Sequence, residues 1–162
     1  MSERALFSTN VISWVNQRRS AFDAVFASRP DAKGARDATL VGDEWSTQLA
    51  ALLEQSLPSL GPIHVSGVIS LHRYHEGDAF DWHVVRGQPH GGSVSSKTLV
   101  LCIDTDAEGG QLVIERADDR FERFELQPGD LVVFDHDALH RIEPLSSGRR
   151  ILLRADLLPK AE

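Results

Sequence analysis

From Ile63 onward the chain stops repeating at helical spacing and alternates at a period of two, in short pieces with nothing helix-forming between them. The pieces are 63–74 (IHVSGVISLHRY), 97–103 (KTLVLCI), 111–115 (QLVIE), 121–126 (FERFEL), 130–134 (DLVVF) and 150–157 (RILLRADL). Each is rich in β-branched or aromatic residues and bounded by Gly, Pro or Asp, the signature of strands. A parallel pair needs a crossover of a dozen or more residues, usually a helix, so strands this closely spaced pair antiparallel. That predicts a sandwich or barrel. Gly109-Gly110 and Pro128-Gly129-Asp130 supply strong turn chemistry.

The first third reads differently. After Ser8-Thr9-Asn10, a good N-cap, the residues Val11, Ile12, Val15, Phe22, Val25 and Phe26 recur at near-helical spacing up to a stop at Arg29-Pro30. Pro30 to Asp37 reads as a polar loop. A second helix, capped by Asp43 or Ser46, carries Leu49, Leu52, Leu53 and Leu57 on one stripe and ends near Pro58. Both stripes are expected to pack on the chain's own core rather than on a partner. The expectation is one domain: a helical support region over residues 1–62 and a β core over 63–160.

With 162 residues, of which 41% are hydrophobic and 25% charged, the chain is long enough and apolar enough to fold without staples. Its one cysteine, Cys102, excludes an internal disulfide and a cysteine-built zinc site. A net charge of −7 argues against nucleic acid or an anionic membrane as partner. No apolar run approaches a membrane span. Met1-Ser2-Glu3-Arg4 opens on no apolar signal core, so cytoplasm is the expected compartment.

Seven histidines stand out. The stretch HRYHEGDAFDWH (72–83) holds His72, His75 and His83 among Glu76, Asp78 and Asp81, and FDHDALH (134–140) holds His136 and His140. Two such stretches at strand ends, far apart in sequence, are what a β-sandwich needs to converge ligands in its mouth. Imidazole and carboxylate without thiolate suit Fe(II), Mn(II), Zn(II) or Cu(II).

The ordered pattern is Tyr74-x-x-Gly77-x-x-Phe80-x-x-His83, then Gly109-Gly110-x-Leu112 and Pro128-x-Gly-Asp130-Leu-x-x-Phe134. It closes on His140-x-Ile142-x-Pro144-Leu-x-x-Gly148-x-Arg150. Over roughly residues 68–157 it resembles the prolyl-hydroxylase-like group of Fe(II)/2-oxoglutarate-dependent oxygenases, whose fold is a double-stranded β-helix (jelly roll). The resemblance implies Fe(II) and 2-oxoglutarate as cofactors, with His83 and His140 as metal ligands. It implies that Arg150 pairs with the distal carboxylate of 2-oxoglutarate and that Tyr74 lends its hydroxyl to the same molecule. Arginine's planar fork suits that grip. Arg149 and Arg150 are adjacent in a strand and face opposite ways, so only one enters the barrel.

One position departs from the family. Its first ligand pair is His-x-Asp or His-x-Glu, whereas this chain reads His83-Val84-Val85. Asp81, two residues before His83, shares its face if the strand is regular and restores a carboxylate. Asp135 and Asp137 are weaker substitutes. Alternatively a halide takes the vacated position, as in relatives that halogenate unactivated carbon, or the domain is a catalytically silent binding module. A cupin arrangement is disfavoured because His72 and His75, three apart, face opposite ways in a strand. The implied activity is hydroxylation of a C–H bond of a small-molecule or peptide substrate, coupled to decarboxylation of 2-oxoglutarate. The segment 84–96 has the composition of a lid, and Arg86 and His90 in it are candidate substrate contacts.

Overall fold

The computed structural model describes residues 3–6, 8–27, 36–41, 43–83, 89–90, 93–94, 97–116 and 118–159. In chain order the elements are β1 (Glu3–Ala5), α1 (Thr9–Gln17), α2 (Arg19–Ala27), β2 (Arg36–Val41), α3 (Asp43–Ser56) and a 3₁₀ turn at Pro58–Leu60. Then follow β3 (Ile63–Tyr74), β4 (Phe80–His83), β5 (Pro89–His90), β6 (Ser93–Val94), β7 (Lys97–Thr105), β8 (Glu108–Gly109) and β9 (Leu112–Glu115). The chain closes with β10 (Phe121–Phe124), β11 (Leu131–Asp135), β12 (His140–Ile142), β13 (Leu145–Ser147) and β14 (Arg150–Pro159).

Six strands form a major sheet in the order β1-β11-β7-β14-β3-β2, and four form a minor sheet in the order β10-β9-β12-β4. Every pairing between these strands is antiparallel. The sequence order jumps between sheets, giving the sandwich expected from the strand spacing in the jelly-roll form that the family resemblance implies. Both faces of the major sheet are covered, and the alternation of side chains divides the core in two. Ile69 and Leu71 of β3, Leu99 and Leu101 of β7, and Leu153, Ala155 and Leu157 of β14 pack with Val11, Phe22, Leu49 and Leu53 of the helices. Their neighbours Tyr74, Val100, Cys102 and Leu152 point the other way and pack with Leu112, Ile114, Phe134 and Ile142 inside the barrel. The helices thus bury their stripes on the chain's own sheet. Among the described residues no helix is long and apolar enough to cross a membrane.

Three local expectations are corrected. The run from Val11 to Phe26 is broken at Arg18, whose guanidinium takes the Trp14 carbonyl at 3.0 Å while its own N–H turns to Val15. The Trp14 carbonyl is the acceptor a continuing helix would give to the Arg18 N–H, so the side chain competes with the helix and ends it. Arg18 also stacks on the Trp14 ring at 4.3 Å and donates to Gln48 at 2.7 Å. Second, the polar stretch ending at Asp37 gives way to β2, because the open edge of β3 offers a ladder from Arg36↔Arg73 to Val41↔Val68. Residues 28–35 lie outside the described part. Third, Ser46 does not cap α3; its hydroxyl donates to the Ser66 carbonyl of β3 at 2.8 Å and fastens the helix to the sheet. The Ser8 cap of α1 is as expected, its Oγ accepting from the Val11 N–H.

Candidate active site

His140 sits on the middle of the minor sheet, 4% exposed, with its ring edge-on to Phe134. Its Nδ1 lies 2.9 Å from the Ala138 carbonyl. A carbonyl only accepts, so Nδ1 carries the proton and the lone pair is on Nε2, the tautomer and orientation a metal-ligating histidine needs. In the ladder His140 stands opposite His83. Candidate ligands far apart in sequence therefore meet at one register position, although the side chain of His83 lies outside the described residues.

The regular strand assumed for Asp81 is not formed. Between His140↔His83 and Ile142↔Phe80, β12 advances two residues and β4 three, which is a bulge. Asp81 sits in it, exposed, with Oδ1 accepting its neighbour's N–H from Trp82 at 2.7 Å. Trp82 is half-buried on the outer face, beneath the Arg141 guanidinium at 4.8 Å and beside Phe121 at 5.8 Å. Of the weaker substitutes, Asp135 is engaged by Lys97 at 2.9 Å and Asp137 is exposed. Among the described residues no three His, Cys, Asp or Glu side chains form a metal-holding group. Val85 and Arg86 lie outside the described residues, as does the side chain of His90.

Arg150 is 1% exposed, the largest of the fully buried side chains. Its Nη1 donates to the carbonyls of Gly109 at 2.7 Å and Gly110 at 2.9 Å. Its Nε and Nη2 are buried and find no hydrogen-bond partner among the described residues. Those two nitrogens form the side-on edge of the guanidinium, the edge that takes a carboxylate bidentately. The anchor depends on a tight turn: Gly110 has φ +65°, and a Cβ there would lie 2.9 Å from Arg150 Nη1 and run into Leu145 Cδ1. The arginine's charge is felt nearby. Burial pushes the Cys102 thiol up to about 12, and the Arg150 charge is the largest of the influences opposing that rise.

A narrow cavity of about 50 Å³ between the sheets is lined by His72, Tyr74, Phe80, His140 and Arg154, with Val100, Leu112, Ile142 and Leu152. Tyr74 is the cross-strand partner of Arg150 and is itself buried. Arg150 is not in the lining. The volume holds one or two waters, so a five-carbon diacid reaches the Arg150 edge only with the lining side chains drawn apart. The expected trio of Tyr74, His140 and Arg150 is thus brought into one barrel. The sequence reading missed Arg154 and gave His72 no part in the favoured site. The signal for Arg154 was parity: four residues after Arg150 in a strand, it shares that residue's face.

Residues 69–155 match the family model of the 2OG-Fe(II) oxygenase superfamily. The chain belongs to that superfamily. Its cofactors are Fe(II) and 2-oxoglutarate, and the donors present fit them in part. The edge of Arg150, without a partner among the described residues, suits a carboxylate and the His140 tautomer suits a metal, while a ligating carboxylate is not found among those residues.

Curated relatives include a PKHD-type hydroxylase of Gloeothece citriformis, 36% identical over 83 residues, covering 49% of this chain and 37% of that protein. A PKHD-type hydroxylase of Cupriavidus metallidurans is 33% identical over 106 residues, covering 56% and 45%. The chain thus spans less than half the length of these relatives. The fold is shared with a Pseudomonas putida prolyl-4-hydroxylase, at a TM-score of 0.68 and 17% identity over 99% of this chain and 93% of that one. It is also shared with a viral collagen prolyl hydroxylase from Paramecium Bursaria Chlorella virus-1, at 0.69 and 11% over 99% and 96%.

Proposed function

We infer that this protein is an Fe(II)- and 2-oxoglutarate-dependent oxygenase that hydroxylates a C–H bond of a small-molecule or peptide substrate. The observation that carries the reading is Arg150. A guanidinium held on two glycine carbonyls, with its bidentate edge buried and without a partner among the described residues, is a costly arrangement unless an anion completes it. When bound, the iron and 2-oxoglutarate supply the oxygen activation and the electrons, and 2-oxoglutarate leaves as succinate and CO₂.

The chain's own residues bind and orient. Arg150 grips the distal carboxylate, and Tyr74, its cross-strand neighbour, offers a hydroxyl to the same molecule. His140 is held by Ala138 in the tautomer that presents Nε2. His83, opposite it in the ladder, is the second nitrogen ligand of this reading. Asp81, exposed in its bulge, is the weaker choice for a third; a solvent or halide ligand at the vacated position is consistent with the same barrel. Leu112, Ile142, Val100 and Leu152 give the cavity an apolar wall, which strengthens charge interactions beside it. A cytoplasmic location and substrate contacts from Arg86 and His90 belong to the same reading, the contacts supported by the position of 84–96 directly after His83.

An anaerobic titration of the intact protein with Fe(II) and 2-oxoglutarate tests it without knowledge of the substrate. A visible iron-to-cosubstrate charge-transfer band is expected, and His140→Ala is expected to abolish it. A folded wild-type protein that gives no band, or a His140→Ala variant that binds Fe(II) as tightly as wild type, refutes the reading.

A further inference from the structure

Arg154 is a second guanidinium on the barrel side of β14, and Arg150 does not account for it. Ile151, Leu153, Ala155 and Leu157 belong to the helix-side core, which leaves 150, 152, 154 and 156 on the other face. Arg154 lines the same narrow cavity as His72, Tyr74 and His140. Its Nε is buried with no hydrogen-bond partner among the described residues. Its Nη2 lies 3.6 Å from Asp156 Oδ1, an ion pair too long for a hydrogen bond, and that Oδ1 is likewise buried without a hydrogen-bond partner. Across the ladder from Asp156 stands Thr98, fully buried, whose Oγ1 is also unsatisfied among the described residues.

Three polar atoms on adjacent strand positions are buried without a hydrogen-bond partner among the described residues, while the Arg154 and Asp156 side chains as wholes are 33% and 18% exposed; buried polar groups are almost always partnered. A cation and an anion set side by side, each with hydrogen-bonding capacity to spare, suit a ligand that itself carries both charges. 2-Oxoglutarate does not fit that description, because its second carboxylate would meet Asp156. A free α-amino acid does: its carboxylate faces Arg154, and its ammonium faces Asp156 with Thr98 behind. We propose that Arg154 and Asp156 form the primary-substrate site, and that its ligand is the zwitterionic head of a free α-amino acid, with its carboxylate at the Arg154 end of the cavity that Arg154 shares with His140. This rests on the oxygenase reading only for what happens to that ligand next, not for its binding.

The test uses the intact protein and the free proteinogenic l-amino acids, followed by the α-amide and N-acetyl derivatives of any that bind. Binding is read by calorimetry on the metal-free protein, and again as a perturbation of the charge-transfer band in the loaded protein. At least one free amino acid binds, and its amide and N-acetyl forms bind roughly tenfold or more weakly, the equivalent of one lost charge-assisted contact. Arg154→Gln erases the preference for the carboxylate and Asp156→Asn the preference for the free amine, while 2-oxoglutarate affinity stays within about threefold, below the loss of one such contact. The proposal fails if no free amino acid binds wild type, or if acid and amide bind alike. It fails equally if Arg154→Gln weakens 2-oxoglutarate as Arg150 substitution does. Absence of the charge-transfer band in wild type sinks the oxygenase reading alone, since calorimetry still decides the amino-acid site.

Discussion

Replacing Arg150 with methionine separates a ligand-binding arginine from a structural one, because the two roles predict opposite results. Methionine is nearly isosteric, so the barrel keeps its volume. The folded protein loses two hydrogen bonds, from Nη1 to Gly109 and Gly110. It also sheds a desolvated charge whose Nε and Nη2 have no partner among the described residues. Bonds from a charged donor contribute about 1.5–3 kcal/mol each, and each unsatisfied buried group costs about 1–3 kcal/mol. The terms nearly cancel, so stability is expected to move by no more than about 2 kcal/mol in either direction.

Binding has no such cancellation. The carboxylate of 2-oxoglutarate loses both arms of the fork, about 3–6 kcal/mol at the same rate per bond. That corresponds to a Kd raised roughly 10²- to 10⁴-fold. Urea unfolding gives the first quantity and anaerobic titration of the charge-transfer band the second, with Fe(II) affinity as the control. A Kd within about threefold of wild type, or a stability loss well above 2 kcal/mol with binding intact, refutes the assignment of Arg150 to the cosubstrate.

Gly110→Ala is expected to cost about 1–3 kcal/mol and to weaken 2-oxoglutarate binding, because its φ is +65° and the new Cβ meets Leu145 and Arg150 Nη1. Gly61→Ala, at φ +69° with nothing within 4 Å, is the control; it is expected to carry only the backbone cost, about 1 kcal/mol, with the Kd unchanged. Cys102, buried and with its thiol pushed up to about 12, is expected to resist alkylation at pH 8 until urea unfolds the protein. Rapid labelling of the native state, read by mass spectrometry, contradicts its burial.

The hydrogen bond from Lys97 holds the Asp135 carboxyl below its usual range, with partial burial opposing. A carboxyl depressed in the folded state stabilises above its unfolded pKa of about 3.9 and loses that stabilisation as pH falls through the lower folded value. Both side chains are substantially exposed, 32% and 48%, so Lys97→Met is expected to cost under about 1 kcal/mol at pH 7. The difference from wild type should vanish in acid, and a gap that widens below pH 4 would falsify the sign.

Period and spacing are local properties, and what depends on them was legible in the chain. The alternation in 97–103 and 150–157 names which residues face the helices and which the barrel, and β7 and β14 follow it. The parity that sends Arg150 inward is the same arithmetic, and it holds for Arg154. Contacts between distant segments left no such trace. β2 forms because β3 has an open edge to pair with, and Ser46 of α3 leaves the capping role to reach a carbonyl of β3. Strands of two or three residues, such as β8, β12 and β13, are too short to show a period at all; only their neighbours in the sheets define them. The bulge that exposes Asp81 arises from the mismatch between β4 and β12, two segments far apart in sequence. The site divides in the same way. The types and order of Tyr74, His83, His140 and Arg150 stand in the sequence. That Arg150 hangs from the carbonyls of Gly109 and Gly110, and that Arg154 lines one cavity with His140, is decided by the chain folding back on itself, because hydrogen bonds across strands form between residues that no local pattern connects.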